Sequence, residues 1–329
     1  MKNFDWITPT TAKEAVDACA TGRSFMAGGT DLITLMKAGL HEPAGIISLS
    51  RVTGLDEIIE DHGGITIGAR VTLAQVAEHV TLQRRASAIA DAARSAATPL
   101  VRNRATVGGN LGQRPRCWYF RHPDYPCSKK GGDTCFAIEG ENKYHAIFDN
   151  TTCNIVHPSN LGPAFMAHDA EVQILGPKGE RKLSIHEFWV RPEEDMRTEI
   201  ALDAGELITR IDIKPMGART GSAFEEVNEK QSFDWGLVAA AVRLTLDGDK
   251  ATDVRIILGA VAPVPLRREE AEKVLSGSVP TEQAALAAAE KAIEGATPLR
   301  DNHYKVAMLK ACIKNAILMA AARARKAGG

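Results

Sequence analysis

Residues 25–39 read FMAGGTDLITLMKAG, and residues 102–113 read RNRATVGGNLGQ. In the first stretch, residues 24–27 form a short apolar strand and Gly28-Gly29-Thr30 a turn. Residues 31–38 then have helical spacing, with Leu32, Leu35 and Met36 inward. A strand running through Gly-Gly into a helix presents backbone N–H groups to an anion. Glycine lets the backbone approach closely, and the helix N-terminus favours negative charge. The motif lacks the Gly-Lys-Ser/Thr of a P-loop and the spaced three-glycine dinucleotide fingerprint. Alone, a plain turn with Asp31 as helix N-cap explains it equally well. The second stretch repeats the theme, with Thr106 and Asn110 offering hydroxyl and amide groups around Gly108-Gly109. Two such turns in one chain favour a diphosphate-bearing cofactor.

Outward from these turns, strands and helices alternate. A helix over 11–20 opens on the capping box Thr11-x-x-Glu14, strands follow at 45–49 and 63–69, and helices at 72–79 and 83–98. Residues 171–183 form a strand pair around Gly-Pro-Lys-Gly. Past Pro215 the pattern changes to three strands within 223–262, turning at Asp-Gly-Asp, then helices at 267–275, 281–294 and 303–325. This is an α+β chain with a boundary near 215–220. Its 329 residues allow two or three domains, and a net charge of −1 gives no global pull toward nucleic acid or an anionic membrane. No apolar run approaches the roughly 20 residues of a membrane span. The start, MKNFDWITPT, lacks the regions of a signal peptide, so a cytoplasmic protein is expected.

Four of the six cysteines fall in one irregular segment, as Cys117-x9-Cys127-x7-Cys135-x17-Cys153. Cys19 and Cys312 lie in apolar helical patterns and read as small buried hydrophobes. The four clustered thiols suit metal ligation, but no Cys-x-x-Cys pair separates zinc from an iron–sulfur cluster. Cys117 lies seven residues after Asn110 and Cys153 seven before Asn160. Seven residues span at most about 25 Å, so both ends of the segment are leashed near the candidate cofactor turns. Arg114, Arg116, Arg121, Lys129 and Lys130 fit either the surroundings of an anionic cluster or a solvated basic loop. Trp118, Tyr119 and Phe120 fit either a shield for such a cluster or ordinary loop packing, while His122, His145 and His157 are weaker ligand candidates than the thiols.

FMAGGTDL, IGARVTL (67–73), RNRATVGGNL, HPSN (157–160) and GELITRIDIKP (205–215) occur in this order. Together they resemble the FAD-binding medium subunits of the xanthine dehydrogenase/molybdenum hydroxylase family. The resemblance implies a two-part FAD-binding domain of the vanillyl-alcohol oxidase type over 1–217. Its subdomains would be 1–55 and 56–217, with the cysteine insert at 114–156. A smaller α+β domain like that of CO dehydrogenase flavoproteins would occupy 218–329. It further implies that Phe25, Met26, Ala27, Gly28, Gly29, Thr30, Asp31, Leu32 and Ile33 cradle the FAD diphosphate. Thr106, Gly109 and Asn110 match the second flavin-contacting turn, and Ile208 an aliphatic position against the isoalloxazine. Asn160 stands where the family usually has Asp. Glu226 stands where it often has Lys, with Lys230 nearby as the substitute candidate.

The insert is similar to those of aldehyde oxidoreductase-type and 4-hydroxybenzoyl-CoA reductase-type flavin subunits. It thereby implies a 4Fe–4S cluster on Cys117, Cys127, Cys135 and Cys153. The expected protein is an electron-transfer subunit carrying FAD and this cluster, with no residue acting on the organic substrate. Its partners would be a molybdopterin-binding large subunit, a 2Fe–2S small subunit and an external acceptor such as NAD, ferredoxin, quinone or oxygen. The expected location stays cytoplasmic, and the periplasm is the alternative if the chain is exported with a signal-bearing partner. The rival readings are a stand-alone FAD oxidoreductase with a zinc-stapled loop and an assembly subunit without flavin.

Overall fold

The computed structural model describes residues 1–19, 22–62, 64–230 and 234–327. Three sheets organise it. The first is a small parallel sheet of β1 (Asp5–Ile7), β2 (Arg23–Met26) and β3 (Gly45–Ser48), in the order β1-β3-β2. Its crossover helices are α1 (Ala12–Asp17), whose N-cap Thr11 and Glu14 form the expected capping box, and α2 (Leu32–Lys37). The second sheet contains β4 (Ile58–Asp61), β5 (Gly64–Gly68), β6 (Glu171–Gly176), β7 (Gly179–Ser184) and β8 (Leu207–Ile213), ordered β4-β5-β8-β6-β7 and antiparallel throughout. The third comprises β9 (Thr220–Val227), β10 (Val238–Asp247), β11 (Lys250–Gly259) and the short β12 (Leu266–Arg267).

Between β5 and β6 run α3 (Leu73–Glu78), α4 (Val80–Arg85), α5 (Ser87–Ser95), α6 (Pro99–Arg102), α7 (Val107–Leu111), α8 (Trp118–Arg121) and α9 (Leu161–Ala167). The single helix expected over 83–98 is interrupted at Ala86. There the Ala88 N–H donates to Ser222 Oγ (3.0 Å), and Ser87 Oγ donates to the Ser222 carbonyl (2.6 Å). These bonds to β9 replace the helical continuation. Among the described residues, β1, β4, β8 and the two-residue β12 are strands that the sequence pattern did not mark; β1 and β4 are short and have mostly exposed residues. Cys19 lies past the end of α1 and is half-buried rather than a core residue, whereas Cys312 is fully buried as expected.

The C-terminal sheet is covered by α10 (Glu269–Leu275), α11 (Glu282–Ala292) and α12 (Tyr304–Ala327). The last helix buries Leu309, Cys312, Ile313, Ala316, Ile317, Ala320 and Ala324 along one stripe. Each of its large aliphatic side chains contributes about 2 kcal/mol by burial. The outer-face pairs Lys310–Glu290 and Lys314–Glu282 contribute roughly 0–1 kcal/mol each, so the stripe holds the helix. Backbones come close here: a Cβ on Gly221 of β9 would stand 2.2 Å from the Ala320 carbonyl. No helix among the described residues is long and apolar enough to cross a membrane.

The cysteine segment docks on this C-terminal unit through the connection before α12. Asn302, fully buried, donates from Nδ2 to the carbonyls of His145 and Ala146 (both 3.1 Å), and its Oδ1 accepts from the Leu299 N–H (2.7 Å). Lys305, also buried, donates to the carbonyls of His145 (3.0 Å) and Ala260 (2.8 Å), and burial pulls its pKa down to about 7. The Ile147 and Phe148 N–H groups both reach the Val261 carbonyl. Asn302→Ala removes three hydrogen bonds from a dry site: the His145 and Ala146 carbonyls keep Lys305 and Asn150, and the Leu299 N–H loses its acceptor. It should lower the unfolding free energy by about 3 kcal/mol in urea denaturation; a loss below about 1 kcal/mol would show that the clamp carries little load.

Candidate functional site

The two glycine turns meet. A Cβ on Gly28 would stand 1.8 Å from the Arg104 carbonyl, so only glycine lets the β2–α2 turn sit against the approach to α7. Gly29 has φ +73°, a conformation that also favours glycine. Thr106 caps α7, accepting the Gly109 N–H at 3.2 Å. Among the described residues, the N–H groups of Gly28, Gly29 and Thr30 have no protein acceptor. A cavity of about 370 Å3 opens between the turns, and Leu49, Leu55, Leu202, Leu207 and Ile208 supply apolar wall. Unpaired N–H groups beside an apolar slot fit a cofactor with an anionic middle and flat rings.

A second cavity, about 440 Å3, shares Thr30, Asp31, Gly109 and Gln113 with the first. It adds Ser95, Asn110, Asn160, Arg116, Glu226 and Trp235. Asn160 Nδ2 donates to Glu226 Oε1 at 2.8 Å. Burial pushes the Glu226 carboxyl up from its ordinary 4.5 to about 7, against hydrogen bonds from Ser95, Asn228 and Asn160.

Asp31 does not cap α2; its side chain makes no cap hydrogen bond. Its Oδ2 accepts the Arg114 N–H (2.8 Å), and its Oδ1 accepts from Arg116 (2.6 Å) and Arg121 (2.9 Å). The first glycine turn is thus bonded to the start of the cysteine segment. Arg116 also bonds Gln113 Oε1 and lies 4.3 Å from the Trp235 ring centre; burial brings its pKa down to about 10. Arg114 and Lys129 both pair with the buried Glu199 at 2.6 Å.

Beyond Asp31, one small cavity is walled by Cys117, Cys127, Cys135 and Cys153, together with Tyr119, Phe120, Phe136, His145 and Asn154. No cysteine is in a disulfide. Cys135 takes a hydrogen bond from the Cys153 thiol and another from Asn154 Nδ2 (3.2 Å), which bring its pKa down to about 5. Cys153 is pushed up by the same pairing and by burial. Burial raises Cys117 to about 11, and the ring Nε2 of His145 lies 3.2 Å from its sulfur. Among the described residues, no three His, Cys, Asp or Glu side chains converge on a point that could hold one metal ion. Phe120 lines both this cavity and the first one.

Residues 2–215 match the family model "FAD binding domain in molybdopterin dehydrogenase", and 222–323 match "CO dehydrogenase flavoprotein C-terminal domain". The chain belongs to the FAD-binding medium subunits of the molybdenum hydroxylase/CO dehydrogenase family. Relatives within it include the aldehyde oxidoreductase FAD-binding subunit PaoB of Escherichia coli (strain K12), 33% identical over 98% of this chain and 100% of its own. The carbon monoxide dehydrogenase medium chain of Hydrogenophaga pseudoflava is 28% identical, over 97% of this chain and 98% of its own. In solved structures, carbon monoxide dehydrogenase from that organism superposes with a TM-score of 0.77 at 26% identity, covering 98% of both chains. Quinoline 2-oxidoreductase from Pseudomonas putida 86 gives 0.76 at 25% identity over the whole of both. The α+β architecture expected from sequence is the family's own, and the relatives are subunits of oxidoreductases.

Within this family fold, Phe25 through Leu32, Thr106, Gly109 and Ile208 line the first cavity. Ile33 does not; it is largely exposed. Asn110 and Asn160 line the second cavity instead. Asn110 Oδ1 accepts from Ser159 Oγ (2.7 Å) and the Leu161 N–H (3.2 Å), tying α7 to the HPSN turn. Lys230 is exposed and lines neither cavity. The hydrogen-bonding partners of the sulfurs, His145 and Asn154, were not singled out as such by sequence. Asn154 directly follows Cys153, and that adjacency is the one signal that pointed to it.

Asp31→Asn weakens two ion pairs that lie mostly below the surface and should cost about 2 kcal/mol in urea denaturation. The loss should change little between low and high salt, because such pairs are weakly screened. A cost that vanishes in salt would place these pairs in the solvent. Glu226 sets a pH dependence. Between about 4.5 and 7 the folded chain keeps a proton that the unfolded chain has released, so stability falls as pH rises through that window. Glu226→Gln should flatten this part of the stability–pH profile, and an unchanged profile would refute the assignment.

Proposed function

We propose that this chain is the FAD- and 4Fe–4S-carrying electron-transfer subunit of a heterotrimeric molybdenum-dependent oxidoreductase of the aldehyde, xanthine or aromatic hydroxylase type. The observation that carries the reading is Phe120, whose ring is a common wall of the cysteine cavity and the cavity between the glycine turns. Two redox groups in those places would be one side chain apart. In this reading residues 1–217 form the FAD-binding domain, with subdomains 1–55 and 56–217 and the insert at 114–156, and 218–329 form the C-terminal domain.

The flavin would be held by residues 25–32 and by Thr106, Gly109 and Ile208, with Asn110 and Asn160 on the side of the second cavity. Bound there, flavin links one-electron carriers to a two-electron acceptor. The chain's own residues position and insulate: Gly28 permits the close approach, the leucines exclude water, and Asp31 ties the cradle to the insert. Two features support an iron–sulfur cluster. Four thiols share one cavity. His145 and Asn154 stand at the sulfurs, where hydrogen bonds tune cluster potentials. The electron donors would be a 2Fe–2S small subunit and a molybdopterin-binding large subunit, where the organic substrate reacts. The acceptor would be external, of the NAD, ferredoxin, quinone or oxygen class.

Anaerobically purified protein should carry one FAD and about four iron atoms per chain, with broad visible absorption under the flavin bands that bleaches with dithionite. Cys135→Ser should lose iron while keeping flavin. Stoichiometric zinc without iron, or iron unchanged in Cys135→Ser, would overturn the cluster.

A further inference from the structure

The second cavity contains a carboxylate for which the cradle has no structural need. Glu226, on β9, points its Oε1 at Asn160 Nδ2 (2.8 Å) and shares hydrogen bonds with Ser95 and Asn228. Gly236 makes room for it: a Cβ there would stand 2.3 Å from that same Oε1. Among the described residues, no cation pairs with it. Arg116, in the same cavity wall, is committed to Asp31, Gln113 and the Trp235 ring. The other charged or titratable neighbours are acidic or neutral. Asp31 and Asp234 line the cavity, Glu225 is adjacent on β9, and Cys312 of α12 feels both glutamates from behind. The site is a polar socket for one carboxyl group, without a counter-ion.

We propose that Glu226, seated on Asn160 beside the flavin cradle, is the proton-coupled group of this subunit: it takes up a proton when electrons arrive and releases it when they leave. The proposal rests on the reading that the cavities hold FAD. Electrons delivered by the partner's iron–sulfur clusters add negative charge to a partly desolvated space, and nearby negative charge favours the protonated carboxyl. One O–H bond forms at Glu226 with a proton drawn from solvent, and it breaks again when the external acceptor removes the electrons. With its pKa already near neutrality through burial, the carboxyl responds to a modest field. An amide partner such as Asn160 can donate to the ionised form and tolerate the neutral one.

The test is a redox titration of the flavin in the holo-complex across neutral to alkaline pH. In the wild type, the midpoint potential should fall more steeply over one interval by one extra proton per two electrons, about 30 mV per pH unit. Glu226→Gln should lose that extra slope, and Glu226→Asp should retain it at a shifted pH. Reduced-minus-oxidised infrared difference spectra should show a protonated-carboxyl C=O stretch that moves on 13C-glutamate labelling. This second measurement needs only the wild type and decides the matter if Glu226→Gln fails to fold. Bound flavin with an identical slope in Glu226→Gln, or no labelled carboxyl band, overturns this proposal alone. A wild-type chain without flavin overturns the functional reading and this proposal together.

Discussion

The carboxylate of Asp31 joins two parts of the chain that are about eighty residues apart. It sits at the end of the first glycine turn and takes the Arg114 N–H and the guanidinium groups of Arg116 and Arg121. Those three arginines open the cysteine segment. With side chains 16–22% exposed, the Asp31 pairs with Arg116 and Arg121 keep enough desolvation for their Coulomb energy to count. The placement of the four thiols relative to the glycine cradle therefore depends on one aspartate. Its strength comes from geometry: one oxygen takes two guanidinium groups while the other takes backbone.

A segment tied at one edge would still swing, and the far side is tied by different chemistry. Asn302 and Lys305, at the start of α12, hold the carbonyls of His145, Ala146 and Ala260 in a buried site where an unpaired carbonyl would cost about 1–3 kcal/mol. Lys129 and Arg114 share Glu199 on a third side. The irregular loop is thus over-determined by two domains, which is how a long segment with few regular elements keeps one conformation.

How much of this was legible follows from where each signal resides. α12 and the strands β9 to β11 were legible because their apolar residues recur at the helical or strand period, and burial acts on that period directly. The break at Ala86 was not, since it arises from Ser222, more than a hundred residues away, competing for the backbone of Ala88. Asp31 read as a helix cap or a member of the cradle, and the arginines as the surroundings of a cluster or a solvated basic loop. A sequence shows charges but not which of them meet. Asn160 and Glu226 read separately as two departures from the family pattern, and only the fold shows that they bond each other. Ile33 and Lys230 were drawn in by sequence proximity to a motif, and their side chains lie off the cavities.

Phe120 shows why the thin wall between cavities is aromatic rather than polar. It is buried, packs with Leu35 of α2 and Cys127, and has the guanidinium carbons of Arg114 and Arg121 at 5.0 and 5.8 Å from its ring centre. Those cations are the same ones that Asp31 and Glu199 hold, so the ring is fixed by the network that fixes the insert. A polar side chain there would need a partner or a water molecule, and water between the cavities would raise the local dielectric. In the proposed function, an apolar ring would keep the separation short and dry, and hydrogen bonds and burial would set the potential on each side. Two carboxylates, Asp31 and Glu199, hold four cations, Arg114, Arg116, Arg121 and Lys129, so the network keeps a net positive charge around the insert. The second cavity differs: its carboxyl, Glu226, has an amide partner and, among the described residues, no paired cation.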